Sequence, residues 1–296
     1  MEMILNWGIE VILWLQQFHP SLDAAFEFIT LAGNEKFFLL LLPLLYWCLD
    51  RRTGVRMFVL CLLTLYINEA AKVFFDQPRP AELNARVWCY TDDPAEGRFP
   101  SGHTQITTVT WGYLATQLRR RWLWILAVVM MALVPLSRLY LGIHFPHDLL
   151  GGYLIGLIIL LAFIWLIPDV ERWLDARKLS EQLIVAIAVP ILMALLLPTE
   201  SAVTACATLT GAGIGAVFER HWLRFGVQGG WQRRSLRYVT GLAILVGIWL
   251  GLRFAFASLE PAMPFRYLRY GLAGLWATFG APWFFLKLGM ASKDKE

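Results

Sequence analysis

Charge is what this sequence has least of: 16% of its 296 residues are Asp, Glu, Lys or Arg, where a soluble domain carries about 25%. An ordinary water-soluble fold is thereby excluded, and a 58% hydrophobic content with 14 Trp agrees with a chain built for lipid. The long apolar runs also lack the alternation of membrane strands, which excludes a β-barrel. Only four cysteines occur, Cys48, Cys61, Cys89 and Cys206, and their spacing fits no metal site. They imply neither a disulfide framework nor a zinc centre, and three stand in apolar runs as small buried hydrophobes do. There is no basic-aromatic module for nucleic acid, no internal repeat and no soluble domain.

What is present is apolar length. Runs such as 37–49, 55–75, 149–167, 183–197 and 236–257 approach or exceed the ~20 residues a helix needs to cross hydrocarbon. They predict an all-α fold, a polytopic membrane helical bundle. Its spans fall near 36–49, 55–75, 103–118, 122–140, 149–167, 183–197, 201–218, 236–257 and 267–288, nine in number. Residues 1–30 stand apart: Glu10, Gln16 and Gln17 interrupt the apolar pattern, no basic residues precede it and no small-residue cleavage site follows. That segment reads as an interfacial or partly inserted amphipathic helix. Gly211, Gly213, Gly215, Gly271 and Gly274 give the later spans a small-residue spacing suited to close helix packing.

The connections alternate in basic character. One side holds 17 of the 26 Lys and Arg, from Arg51, Arg52 and Arg56 through Arg119–Arg121 and Arg233, Arg234 and Arg237 to Lys293 and Lys295. The positive-inside bias retains that side in the cytoplasm. The loop from Asp76 to Gly102 is therefore expected outside, on the periplasmic or extracellular face, as for an integral protein of a bacterial inner membrane. Trp7, Trp47, Trp122 and Trp231 read as an interface belt.

Three polar clusters interrupt the apolar pattern, and this topology places all of them at the same outer face. They are Lys72 to Pro80, Pro100 to His103, and Ser137-Arg138 followed by His144 and Asp148. Lys72, Arg79 and Arg138 gathered at one face would hold a multiply charged oxyanion, since guanidinium groups meet phosphate oxygens in bidentate fashion. Ser101 is a good N-cap, so the amides after it would face an anion at a helix N-terminus, and Gly102 lets backbone approach it. Two histidines supply what phosphoryl transfer needs, a nucleophile and an acid for the leaving oxygen, and Asp148 can orient one of them. Positioning and charge carry such a reaction, so the cations can serve without a metal, and no carboxylate cluster suited to magnesium is seen.

Lys72-x6-Arg79-Pro80, Pro100-Ser101-Gly102-His103 and Ser137-Arg138-x5-His144-x3-Asp148 resemble the three signature motifs of the type-2 phosphatidic acid phosphatase superfamily at every defined position. The resemblance covers about residues 20 to 167. It implies a six-helix phosphatase core, here 31–168, followed by additional transmembrane helices of unassigned role in 169–296. It also implies His144 as nucleophile with Asp148 as its partner, and His103 as general acid and then base. Lys72, Arg79, Ser101, Gly102 and Arg138 become phosphate binders, with no cofactor or metal. The extra spans resemble the layout of sphingosine-phosphate and glucose-6-phosphatase relatives.

Blander readings stand beside these. Lys72 alone could snorkel to the interface, and Asp148 could be a first-turn carboxylate favoured by the helix dipole. His147 lies outside the motifs and reads as structural, His19 and His221 as interfacial, and Asn68 and Glu69 as packing or supporting residues. The function expected is hydrolysis of a membrane lipid phosphate or diphosphate: phosphatidic acid, phosphatidylglycerol phosphate, a sphingoid phosphate or a polyprenyl diphosphate. The alternatives are a soluble phosphate ester entering through the loop Glu82 to Arg98, or transfer of the phosphoryl group to an acceptor other than water. A transporter or scaffold that only binds anions is disfavoured by the intact nucleophile and acid.

Overall fold

The computed structural model describes residues 2–91, 97–256, 259 and 263–294; Lys295 and the middle of the loop Glu82 to Arg98 lie outside these. The helices are α1 (Glu2–Leu15), α2 (Asp23–Thr30), α3 (Glu35–Leu44), α4 (Arg51–Phe75), α5 (Pro80–Leu83), α6 (Gly102–Leu118), α7 (Arg121–Tyr140), α8 (Pro146–Asp175), α9 (Leu179–Leu196), α10 (Glu200–Phe218), α11 (Trp231–Ala255), α12 (Met263–Leu275) and α13 (Ala281–Lys287). One isolated bridge, Phe225 to Lys293, is the only extended pairing among the described residues.

Six stretches are long and apolar enough to cross a bilayer: Arg51–Leu83, Arg121–Tyr140, Pro146–Asp175, Leu179–Leu196, Glu200–Leu223 and Trp231–Ala255. A pair bent by 49°, Asp23–Gly33 with Lys36–Leu49, makes seven if it counts as one span. Seven of the nine predicted crossings thus have a counterpart of that length and apolarity among the described residues; 103–118 and 267–288 do not. Helix α6 has 17 residues, five of them threonines, and is buried without a break from Thr104 to Ala115. A helix enclosed by protein need not be apolar, because its polar groups meet protein rather than lipid. The stretch 267–288 runs without interruption through α12, a π turn at Trp276–Gly280 and α13.

The chain forms two compact units. The first comprises the N-terminal residues to Phe38 with Ile67–Trp165. Here α7 packs against α6, α2 and α1. The N-terminal helix buries Ile9 and Ile12 against Val87 and Phe145, and a side chain at Gly8 would lie 2.8 Å from the Phe145 ring. Gln16, which reads as an interruption of the apolar run, ties the segment down: its amide donates to the carbonyls of Trp88 (2.7 Å) and Tyr140 (2.9 Å). Its oxygen accepts from Trp88 N at 3.1 Å.

The second unit comprises Leu39–Tyr66 with the chain from Leu166 onward. Helix α10 packs on α9 and α12, and the predicted glycines make this possible: a side chain at Gly274 would lie 2.9 Å from the Ala212 backbone. Trp47 is not part of an interface belt. It is fully buried and donates to Ala277 O at 2.8 Å, whereas Trp7, Trp122 and Trp231 are exposed. Arg237 likewise leaves the basic surface: it is fully buried, with its terminal nitrogens on the carbonyls of Gly226 (3.1 Å), Val227 (2.7 Å) and Gln228 (3.3 Å).

Candidate active site

Every residue of the three motifs lies in the first unit. His144 stands in the turn 141–145 that joins α7 to α8, where Gly142 adopts φ +68°, a left-handed conformation that glycine takes without strain. The amides of Ile143 and His144 both donate to Arg138 O, at 3.1 and 3.3 Å, folding the turn back on the end of α7. Pro146 opens α8 and Asp148 sits in its first turn, so the carboxylate reaches back to the Phe145 N–H at 2.9 Å. The same oxygen, Oδ2, faces His144 Nδ1 at 3.2 Å. His144 and Asp148 are each 1% exposed, so this pair is held by protein on all sides. Burial pulls the His144 imidazole below its ordinary pKa, Asp148 opposes that shift, and Arg138 and Lys72 reinforce it.

The second motif meets the third through backbone: Ser101 N donates to Asp148 O at 3.0 Å. Ser101 is the N-cap of α6, its hydroxyl accepting from Thr104 N and Thr104 Oγ1. Helix α8 comes close enough because Gly152 has no side chain; a Cβ there would lie 2.7 Å from Ser101 O. Gly102 is constrained by a neighbour that the motif does not include: a Cβ would lie 2.8 Å from Asn68 Oδ1. Asn68 is buried and donates to Pro100 O (3.2 Å) and Gln105 Oε1 (2.8 Å), which fixes the entry to α6 from α4.

His103 lies within electrostatic reach of Arg138, His144 and Lys72, so four of the predicted residues converge. Its Nε2 is shielded from solvent and has no hydrogen-bond partner among the described residues. Arg138 is 2% exposed and donates to Thr30 Oγ1 at 2.9 Å. Lys72 is half-buried in the last turn of α4. Arg79 is paired with Glu82 at 2.9 Å, and its stem passes the same point as the turn 141–145: a Cβ on Gly97 would lie 2.8 Å from Arg79 Cδ and 2.6 Å from Ile143 O.

Thr30, Gly97 and Gln105 escaped the sequence reading, being single residues in unremarked contexts, whereas Asn68 stood out there as a packing or supporting residue. His147 supports the dyad: its Nε2 lies 3.2 Å from Asp148 Oδ1 and 3.1 Å from Gln77 Oε1, and its ring stacks on Phe145. Among the described residues, no three His, Cys, Asp or Glu are grouped to hold a metal ion.

Residues 53–172 match the PAP2 superfamily, and residues 203–293 match the PAP2 superfamily phosphatase, transmembrane extension. The chain is 24% identical over 307 residues to sphingosine-1-phosphate phosphatase 1 of Mus musculus, spanning 88% of this chain and 70% of that protein. It is 30% identical over 107 residues to undecaprenyl-diphosphatase of Sulfolobus acidocaldarius, 36% of this chain and 51% of that protein. With glucose-6-phosphatase 3 of Bos taurus it shares 28% over 183 residues, 54% of this chain and 53% of that protein. It thus spans about half the length of the last two relatives. No solved structure matches it. The three motifs, the convergence of their side chains and two matched segments in order along the sequence make this integral membrane protein a member of the PAP2 superfamily.

Proposed function

We propose that this chain hydrolyses a membrane lipid phosphate or diphosphate in two steps through a phosphohistidine on His144, without a metal. The observation that carries this reading is the buried His144–Asp148 pair, set within reach of His103, Arg138 and Lys72. His144 Nδ1–H donates to Asp148 and leaves the Nε2 lone pair as nucleophile. As Nε2 bonds to phosphorus the bond to the leaving oxygen breaks, and His103 gives that oxygen a proton. His103 then takes a proton from water, whose oxygen attacks phosphorus, and the P–N bond breaks to release phosphate. Lys72, Arg79, Arg138 and the α6 N-terminus formed by Ser101 and Gly102 would hold the phosphoryl oxygens and balance their charge.

A lipid substrate agrees with the names of the sphingosine-1-phosphate and undecaprenyl relatives and with a site carried in part by α4, α7 and α8, which are long and apolar enough for a bilayer. The site belongs on the non-cytoplasmic face, the periplasm in a bacterial inner membrane, because most Lys and Arg lie in the opposite connections. The test is phosphate release from purified protein across lipid phosphates, diphosphates and soluble esters, with and without EDTA. Turnover of lipids in chelator is expected; turnover of soluble esters alone, or activity that needs added magnesium, contradicts the proposal. A single cysteine replacing exposed Ala85 in a cysteine-free background should react with an impermeant thiol reagent from outside intact cells. Labelling only after lysis would reverse the topology.

A further inference from the structure

Within the second unit the chain leaves α8 through Ala176, Arg177 and Lys178, and leaves α10 through a π turn at Glu219–Leu223. The two exits share a cavity of about 170 Å³ lined by Asp175, Arg177, Gln182, Arg220, His221 and Arg224, with no apolar side chain among them. The π turn brings Arg220, His221 and Arg224 to this place. It ends at Arg224, whose N–H closes on Glu219 O at 2.8 Å with φ +47°, a left-handed conformation rarely taken by arginine. Arg224 Nε donates to Arg220 O at 3.3 Å, which holds the stem and leaves the terminal nitrogens without a partner among the described residues. Arg177 lies with its guanidinium 4.9 Å from the centre of the Trp173 ring and meets no carboxylate among the described residues.

The acceptors nearby are already engaged. Asp175 pairs with Arg220, Glu219 turns inward to Arg51 and the Phe225 N–H, and Glu181 accepts from Lys178 N in the first turn of α9. Buried Gln182 donates to Leu174 O (3.0 Å) and Arg177 O (3.1 Å), so the carbonyls that end α8 are covered. Three guanidinium groups thus face one carboxylate, and the excess charge asks for an anion that can accept several N–H groups, as a phosphate does. His221 holds Nδ1 3.0 Å from Val217 O, with no carboxylate to orient it as Asp148 does His144, so the cavity is built to bind and not to transfer a phosphoryl group. Trp173 and Trp222 stand exposed beside it, the residue type and setting of a bilayer's headgroup layer. Sites that enclose a whole small ligand measure about 300–1,000 Å³, so this smaller one takes a headgroup and leaves the tails in lipid. We propose that this cavity holds the phosphate of an anionic phospholipid, at a place separate from the three motifs and independent of the phosphatase reading.

The test titrates short-chain phosphatidylglycerol, a phosphodiester, and phosphatidylcholine of equal chain length against the full chain in neutral detergent, with bound lipid counted by native mass spectrometry. Wild type should retain one phosphatidylglycerol at a concentration about tenfold below that needed for phosphatidylcholine. Arg177→Gln with Arg224→Gln should weaken phosphatidylglycerol binding by about tenfold or more. Arg172→Gln with Arg233→Gln removes the same charge from exposed positions outside the cavity and should stay within about twofold. Arg224→Lys, which keeps the charge and loses the fork, should retain part of the binding, a result that a misfolded variant would not give. Both double variants should unfold at the wild-type temperature without added lipid. Equal loss in the two double variants, as a diffuse basic surface would give, or no preference for phosphatidylglycerol in wild type, would overturn the proposal. Inorganic phosphate that raises the unfolding temperature through Arg177 and Arg224 while phosphatidylglycerol does not would make the ligand free phosphate and overturn the lipid assignment.

Discussion

The two units of this chain both bury charge, and they treat it differently. In the second unit Glu219 accepts from Arg51 at 3.1 Å and from Phe225 N at 2.9 Å, and Arg237 places both terminal nitrogens on loop carbonyls, leaving only Nε without a partner among the described residues. These groups clamp the chain between α10 and α11. In the first unit, His103 Nε2 has no partner among the described residues, and His144 faces Asp148 through Nδ1 at 3.2 Å. A buried polar group whose partners are complete belongs to the fold; one left incomplete beside like charges is held ready for a ligand. Buried charge therefore holds a loop in one region and, on the proposed reading, serves chemistry in the other.

That contrast is open to attack, most strongly at the dyad. His144→Ala should lower phosphate release on the order of 10⁵ or more, with the unfolding temperature of the detergent-solubilised protein little changed. Retained turnover would remove the distinction between the units. Asp148→Asn should cost on the order of 10⁴ in kcat, because the amide no longer fixes the His144 tautomer. It also tests the electrostatics. Burial already lowers the His144 pKa and Asp148 raises it, so the acid limb of kcat/KM, which reports the neutral imidazole, should lie below the ordinary imidazole range and move lower still in the variant. An acid limb that moves up would contradict the assigned pairing. His103→Ala should cost on the order of 10² or more with a lipid monoester and less with a nitrophenyl phosphate, whose leaving group needs a proton less. Equal losses would make His103 a binding residue. Arg237→Met should have the smallest effect on turnover per folded molecule and a large one on folding, about 3–5 kcal/mol in denaturant unfolding, because three carbonyls lose their donor.

The sequence made the site more legible than the fold. Lys72, Arg79, Ser101, Gly102, His103, Arg138, His144 and Asp148 stand out because charge and imidazole are rare against apolar runs, and each is costly unless used. The α4, α7, α8, α9, α10 and α11 spans were legible for the same reason, as unbroken apolar length. Helix α6 carries five threonines in 17 residues, and its enclosure by protein, which lets a helix keep them, leaves no mark in hydropathy; the π turns at Leu45–Leu49 and Trp276–Gly280 likewise have no local signal. The partners of the supporting residues were hidden for a related reason. Asn68 and Gln16 act through contacts 32 and 72 residues away, and only the folded chain brings those together. Trp47 and Arg237 show the converse, a span-end aromatic and a loop-side cation that the fold turns inward.

The claim on which the rest depends is the covalent intermediate at His144, and one trapping experiment addresses it directly. Purified protein mixed with a ³²P-labelled lipid phosphate and quenched within the turnover time should carry label that survives base and is lost in acid, as a phosphoramidate bond requires. The label should map to the peptide containing His144, be absent in His144→Ala, and accumulate when the general base His103 is replaced in a substrate with a good leaving group. Label on another residue, acid-stable label, or unchanged labelling in His144→Ala would contradict the account.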